Sequence, residues 1–315
     1  MKVFCMLAVV GLVLCVPFGA RAEDPFGEFV SPVSNPVNFE DPRATTEVRP
    51  VYIYHMISDD FAKGLGANGG DAHILALQLR LALSERFAFI ATKSGYIWLR
   101  PDNDLPGVLD TKNGWANVNF GMKYAFYRDP ARSTMATLGV RYEVPSGDRD
   151  VLQGGMFLND DLADRGDGVM NPFVSALWGT GNLHILGYGG GRIPVDGVDS
   201  TFLDLSAHAD YRVSTALGAI YPLIEVNWIQ TLDGGRRLAL NQEGFDFFNL
   251  GSSHAGHEGV VTTAAGFRWR LAEEVPVLGD RALNIDLGAA YEAPVTGRKD
   301  ITDWRVTTDL IFHLL

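Results

Sequence analysis

Apolar and polar residues alternate with a period of two along most of this chain. In Ala72–Leu83, Leu75, Leu77, Leu79, Leu81 and Leu83 share one parity, with Gln78 and Arg80 on the other. In Thr201–Val213, Leu203, Leu205, Ala207, Ala209, Tyr211 and Val213 oppose Asp204, Ser206, His208, Asp210 and Arg212. In Gly114–Tyr127, Val118, Phe120, Met122, Tyr124 and Phe126 oppose Asn117, Asn119 and Lys123. In Gly259–Leu271, Val261, Thr263, Ala265, Phe267 and Trp269 oppose Arg268 and Arg270. Successive side chains of a strand point to opposite faces, so each run predicts a strand with one oily and one charged face.

About twelve such runs follow one another: Thr46–Ile57, Ala72–Leu83, Arg86–Leu99, Gly114–Tyr127, Ser133–Pro145, Val169–Trp178, Leu183–Ile193, Thr201–Val213, Ala216–Gln230, Gly259–Leu271, Arg281–Glu292 and Asp303–Leu314. Their length suits a tilted membrane strand. A soluble antiparallel sandwich also alternates, but two features favour a membrane barrel. The connections Ser84–Glu85, Arg128–Arg132, Gly179–Asn182 and Ser214–Thr215 are short, whereas Ser58–Asp71, Arg100–Asn113, Ser146–Gly168 and Thr231–Glu258 are long. That is the asymmetry of periplasmic turns and extracellular loops, from which only the longer fifth turn, Ala272–Asp280, departs. Aromatic residues such as Trp98, Trp115, Trp178, Trp228, Trp269 and Trp304 gather near run ends, where interfacial girdles form.

The start of the chain reads as a cleaved secretory signal over residues 1–22: Lys2, an apolar stretch Val3–Phe18, and Ala20-Arg21-Ala22 before the cut. The alternatives are an uncleaved anchor, for which the stretch is short, and lipid attachment at Cys15, against which Leu14 stands. Cys5 and Cys15 are the two cysteines, so the exported chain is expected to have neither disulfides nor thiolate metal sites. Residues 23–45, with Pro25, Pro32, Pro36 and Pro42, lack periodicity. They predict a periplasmic lead segment, or a short plug folded into the barrel mouth, or a disordered tail; the barrel then occupies 46–315. No later apolar stretch is long enough for a transmembrane helix. A formal net charge of -12 excludes nucleic acid as a partner.

The chemistry lies on the charged parity, which a barrel turns inward. That face is expected to hold Arg80, Lys123, Arg141, Glu143, Asp204, His208, Asp210, Arg212, Glu225, Arg268, Arg270, Asp286, Arg305, Asp309 and His313. These are lumen or selectivity candidates of a polar conduit, or mutually paired ions closing a narrow barrel. Twelve strands enclose less space than the sixteen to eighteen of open porins, which disfavours a wide open pore. Ser206 with His208 suggests a lipid hydrolase, but both share the inward face, away from lipid. The acidic loop Ser146–Gly168 and the pair His254 and His257 read as solvated loops and not as metal sites. Gly187, Gly189, Gly190 and Gly191 lie within a strand run, where they permit bending or close packing, and do not form a nucleotide fingerprint. No cofactor and no catalytic or metal-ligating residue is expected.

Two segments carry family resemblances. The final run, with Val306, Thr308, Leu310, Phe312 and Leu314 alternating, resembles the closing strand that barrel-assembly machinery recognises in outer-membrane proteins, although Leu315 stands where an aromatic is usual. Tyr142-Glu143-Val144-Pro145-Ser146-Gly147-Asp148 resembles a strand end of the exported barrels grouped as transporters of the MetA pathway of phenol degradation, more distantly FadL-like channels. The same four residues from Pro145 also make a good turn. The resemblance implies passage of small, often hydrophobic or aromatic solutes across the outer membrane of a Gram-negative-type bacterium. The sequence thus leads to an all-β transmembrane barrel in contact with outer-membrane lipid, and to a channel or transporter for small-molecule solutes. A closed surface-interaction barrel is the alternative, with a lipid hydrolase behind it.

Overall fold

The computed structural model describes residues 26–61, 63, 69–103, 111–148, 166–271, 275–276 and 282–314. The expected signal, most of the acidic loop and most of the fifth turn lie outside the described residues. Sixteen hydrogen-bonded segments form one antiparallel sheet, and they make twelve strands. These are β1 (Glu47–Ile57), β2 (Gly70–Ala82), β3 (Phe87–Ala91 continuing as Gly95–Pro101), β4 (Lys112–Trp115 continuing as Val118–Asp129), β5 (Thr134–Val144) and β6 (Val169–Thr180), followed by β7 (Leu183–Pro194), β8 (Thr201–Tyr211), β9 (Gly218–Asp233), β10 (Gly259–Leu271), β11 (Ala282–Pro294) and β12 (Thr302–Leu314). Two stubs, Val213–Thr215 and Val275–Pro276, pair with β9 and β11. Tyr52 of β1 lies opposite Leu75 of β2 on one side and Thr308 of β12 on the other, so the sheet closes and leaves no edge.

The period-two pattern decides which face is which. Gln78 and Arg80 are buried inside, while Leu75 is half exposed outside. Phe120, Phe126, Leu138 and Ile224 are each more than half exposed on the outer wall. An apolar surface this extensive has a reason to exist only against lipid. At about 3.3 Å per residue and with barrel tilt, strands of 11 to 16 residues span a hydrocarbon band. Tyr96 and Trp115 pack edge to face at 5.3 Å, and Tyr291 and Trp304 stack at 5.8 Å, as parts of an aromatic girdle.

The wall departs from uninterrupted alternation most clearly in β3 and β4. The runs expected as Arg86–Leu99 and Gly114–Tyr127 are each broken, at Thr92–Ser94 and Ala116–Asn117. Parity changes across both breaks: Ala88 and Ile90 face inward before the first, Ile97 and Leu99 after it. The Asn119 side-chain oxygen accepts the Thr92 and Lys93 amides at 2.8 Å each, replacing ladder bonds lost at the break. The Pro145–Asp148 turn closes the other side. Asp148 accepts the Trp115 amide at 2.8 Å and returns its own N–H to the Trp115 carbonyl at 2.7 Å. Gly147 is required there, because a Cβ would lie 2.7 Å from that carbonyl oxygen.

Candidate functional site

The barrel interior is filled from both ends. Residues 26–46 enter at the turn end, climb to a tight turn in which the Phe39 amide donates to the Asn35 carbonyl at 3.0 Å, and descend again into β1. Nearly every side chain of this segment is buried. Its composition explains why it is not a strand: proline cannot donate to a ladder. Its carbonyls, left without ladder partners, are satisfied partly within the segment, where Arg43 donates to the Phe29 carbonyl at 2.6 Å, and partly by the wall. The Pro32 carbonyl accepts Arg49 at 2.7 Å, Pro36 accepts Gln78 at 2.7 Å, and Pro42 accepts Thr137 at 2.6 Å. Donors run the other way at Glu225, whose carboxylate takes the Val33 and Ser34 amides at 2.9 and 2.6 Å. Glu40 sits between Arg80 at 2.9 Å and Lys123 at 2.7 Å. Burial alone would raise its pKa, but the pull of Arg80 and then Lys123 outweighs this and holds it at about 2.

From the loop end, the connection between β9 and β10 folds inward. Glu243 organises it, accepting Ser200 Oγ at 2.6 Å and the amides of Gly244, Leu250 and Ser252 at 2.6 to 2.9 Å. This turns Phe245, Phe247 and Phe248 down into an apolar cluster with Ile53, Ile74 and Leu99 of the wall. Val37, near the tip of the inner segment, belongs to the same cluster, so the two fillings meet. Two carboxylates of neighbouring loops tie the connection to the rim: Asp199 bonds Arg237 at 2.7 Å, and Asp300 accepts the Glu243 amide at 3.1 Å while bonding Arg298 at 2.7 Å. Burial, partly offset by these arginines, raises both carboxyls to a pKa of about 6.

The candidate residues read from parity all point inward, and nearly all are in ion pairs. Arg268 and Arg49 share Asp309, at 2.7 and 2.8 Å. Arg270 bonds Asp286 at 2.9 Å, Arg305 bonds Glu292 at 2.6 Å, and Arg80 bonds Glu47 at 2.9 Å. His208 lies between Glu225 at 2.7 Å and Asp210 at 2.9 Å, and His184 bonds Asp210 at 2.8 Å. His313 reaches Glu47 and Asp286 at 3.2 Å, and Asp204 holds Arg192 at 2.8 Å. Glu143 takes Lys93 at 2.7 Å near the wall break. Arg212, just past β8, pairs with Glu28 beside a recess of about 260 Å3 at the turn end. Arg141 differs: it donates to the Val37 and Asn38 carbonyls, Asn171, Thr92 and Tyr188. Among the described residues, none of these partners is a carboxylate.

Arg49, Arg192, His184 and Glu292 complete the wall and were not singled out from the sequence. Their runs carry the same parity signal, with Glu47 and Arg49 alternating against Val48 and Pro50. The contributions of Glu40, Asp246 and Glu243 have no periodic signal, because they come from irregular segments. Both ring nitrogens of His208 are held by carboxylates, and Ser206 Oγ takes the Asn35 amide group at 3.2 Å. His208 therefore has no nitrogen with which to deprotonate Ser206. Gly190 is small for a local reason: a Cβ there would overlap the Tyr188 hydroxyl.

A closed twelve-strand antiparallel sheet with an apolar belt and a charged interior is an outer-membrane β-barrel, and the outer membrane is its location. Among solved structures, the COG4313 outer membrane channel from Pseudomonas putida F1 has this fold. It aligns over 91% of this chain and 100% of its own, with 11% identity and a TM-score of 0.52. LpxR from Salmonella typhimurium aligns over 84% and 99% at 8% identity with a TM-score of 0.44. A Pseudomonas aeruginosa FadL homologue aligns over 93% and 94% at 11% identity with a TM-score of 0.34. No protein-family model and no curated protein matches the sequence.

Proposed function

We propose that this barrel is a gated outer-membrane channel or transporter for small solutes that rests closed, with the inner segment and the β9–β10 connection as its two gates. The self-sufficiency of the wall charges carries this reading. With the inner segment displaced, Arg49 and Arg268 keep Asp309, Arg270 keeps Asp286, Arg80 keeps Glu47, and Glu225 keeps His208. With the β9–β10 connection displaced, Arg305 keeps Glu292 and Arg192 keeps Asp204. A buried charge stripped of its partner costs several kcal/mol. A wall whose ions pair among themselves avoids most of that cost when its contents move, and then presents a ring of fixed charges to a solute. The resemblance of Tyr142–Asp148 to the MetA-pathway transporters, and the apolar walls at both levels of the lumen, favour hydrophobic or aromatic cargo.

Planar-bilayer recording tests the proposal. The wild-type barrel is expected to be closed for most of the record, with brief unit openings. Glu225→Gln weakens the seat of the Val33 and Ser34 amides, and Asp246→Ala releases the tip of the β9–β10 connection from Arg305. Each is expected to raise the open fraction severalfold. Folded barrels that stay silent in all three forms would reject the channel and leave a closed surface scaffold.

A further inference from the structure

Besides Arg212, which pairs with Glu28 at the turn end, two buried strand cations among the described residues lack a wall carboxylate as hydrogen-bond partner, and they lie close together. The partners of Lys123 are both on the inner segment, Glu40 at 2.7 Å and the Asp41 carbonyl at 2.6 Å. Arg141 has no carboxylate among its hydrogen-bond partners, and two of these partners are the Val37 and Asn38 carbonyls of the same segment. Arg80, although it keeps Glu47, gives its Nε and Nη2 to Glu40. Once the segment leaves, β2, β4 and β5 present three cations on one side of the lumen; Glu47 stays bonded to Arg80, and among the described residues no wall carboxylate is hydrogen-bonded to Lys123 or Arg141.

An aromatic recess lies next to these cations. Phe39 packs at 6.1 Å from Tyr188, which stacks on Phe173 at 5.8 Å, and the Arg141 guanidinium lies over the Phe173 ring at 4.8 Å. Ile90, Met135 and Leu186 complete this apolar wall. Gly190 gives Tyr188 its place, and Tyr188 in turn accepts Arg141 at 3.0 Å. Phe39 and Glu40 thus deliver a phenyl ring and a carboxylate, from adjacent residues, into a site built to receive both.

We propose that this recess is the solute site of the lumen, that its ligand class is small aromatic carboxylates, and that Phe39–Glu40 occupies it as an internal stand-in for the solute. This rests on the gated-channel reading and adds the solute class to it. Three cations facing a ring-lined pocket discriminate against neutral aromatics, because an uncharged ligand leaves Lys123 and Arg141 buried with no carboxylate in hydrogen-bond contact. They also discriminate against small aliphatic anions, which leave Phe173 and Tyr188 uncovered. An arriving carboxylate competes directly with Glu40, so binding of solute and release of the inner gate are one exchange.

The test uses the full chain carrying Phe39→Ala and Glu40→Ala. Limited trypsin treatment is expected to cut after Arg43, which is buried in the wild type, and so to empty the site without removing the wall. Calorimetry in detergent then compares phenylacetate with its neutral isostere phenylacetamide and with acetate. Phenylacetate is expected to bind at least tenfold more tightly than either. Adding Lys123→Gln is expected to weaken it at least tenfold, with the barrel fold checked by circular dichroism. Intact wild-type protein is expected to bind phenylacetate at least tenfold more weakly than the emptied barrel. Equal binding of phenylacetamide, or no phenylacetate binding by the nicked barrel, overturns the proposal. Bilayer recording on the same preparation separates the two readings. Conductance without phenylacetate binding removes the site and keeps the channel, whereas binding without conductance keeps the site and removes the channel.

Discussion

Glu40 is the residue on which the inner gate turns. Its carboxyl is held at about 2 in the docked segment, against 4.5 for a free glutamate, by Arg80 and Lys123 in spite of burial. A depressed acid stabilises docking wherever it is ionised. The gain is complete above about pH 4.5 and is lost progressively as pH falls toward the docked value of about 2. Hydrogen exchange at the Val33 and Ser34 amides, corrected for its intrinsic pH dependence, is expected to stay slow from pH 8 to 5 and to accelerate below pH 4. Glu40→Gln is expected to shrink the pH dependence, leaving the part set by Asp41, which despite burial Arg43 and Lys123 hold below the usual carboxylate range, and to be faster throughout. At Gly288 the packing is equally specific: a Cβ would lie 2.6 Å from Asp309 and 2.9 Å from Arg268. Gly288→Val is therefore expected to destabilise the barrel by about 1–3 kcal/mol through overpacking, measured by urea unfolding in detergent. Arg80, Arg268 and Asp309 were legible from parity alone, since a period of two fixes the face. Their partners were not, because pairing depends on register between strands that no single run encodes.

At the level of elements, strands were readable and their interruptions were not. The break in β3 is marked only by the short polar stretch Thr92-Lys93-Ser94, and its parity shift shows only in the folded register, so Arg86–Leu99 reads as one run. The turn at Pro145–Asp148 was visible as a motif, but its contact with Trp115, on a neighbouring strand, was not. Asp148→Ala is expected to loosen that clamp by removing the side-chain acceptor of the Trp115 amide while the backbone N–H of residue 148 keeps the Trp115 carbonyl, at a cost of about 1–3 kcal/mol, with faster exchange at Trp115 than in the lower half of β4. The β9–β10 connection responds to pH in the sense opposite to the inner segment. Asp199 and Asp300 are raised from 3.8 to about 6 by burial. A raised acid opposes docking when ionised, so the latch is tightest below about pH 4, weakens as pH rises to about 6, and is constant above that. Exchange at Leu250 and Ser252, corrected for its intrinsic pH dependence, is expected to be slower at pH 5 than at pH 7.5. Asp199→Asn with Asp300→Asn is expected to remove the difference.

At the scale of the whole molecule, the barrel class followed from alternation, loop asymmetry and aromatic placement, all of them local signals. The filling of the barrel did not. Residues 26–46 have no periodicity, and the donors to their Pro32, Pro36 and Pro42 carbonyls come from the closed wall, which no local signal encodes. Phe245–Phe248 is too short a run to distinguish a buried loop from an exposed one. A wall of self-paired ions around two inserted segments forms a conduit whose opening requires those segments to move, and this is the central claim. It is tested most directly by locking one segment in place. Ser34 Oγ and Asn227 Nδ2 lie 3.0 Å apart, so Ser34→Cys with Asn227→Cys, in a background carrying Cys5→Ser and Cys15→Ser, can be bridged by a short bis-methanethiosulfonate linker that ties the inner gate to β9. In planar bilayers the cross-linked barrel is expected to be silent, and reduction is expected to restore unit openings in the same membrane. Equal conductance in the two states would contradict the account.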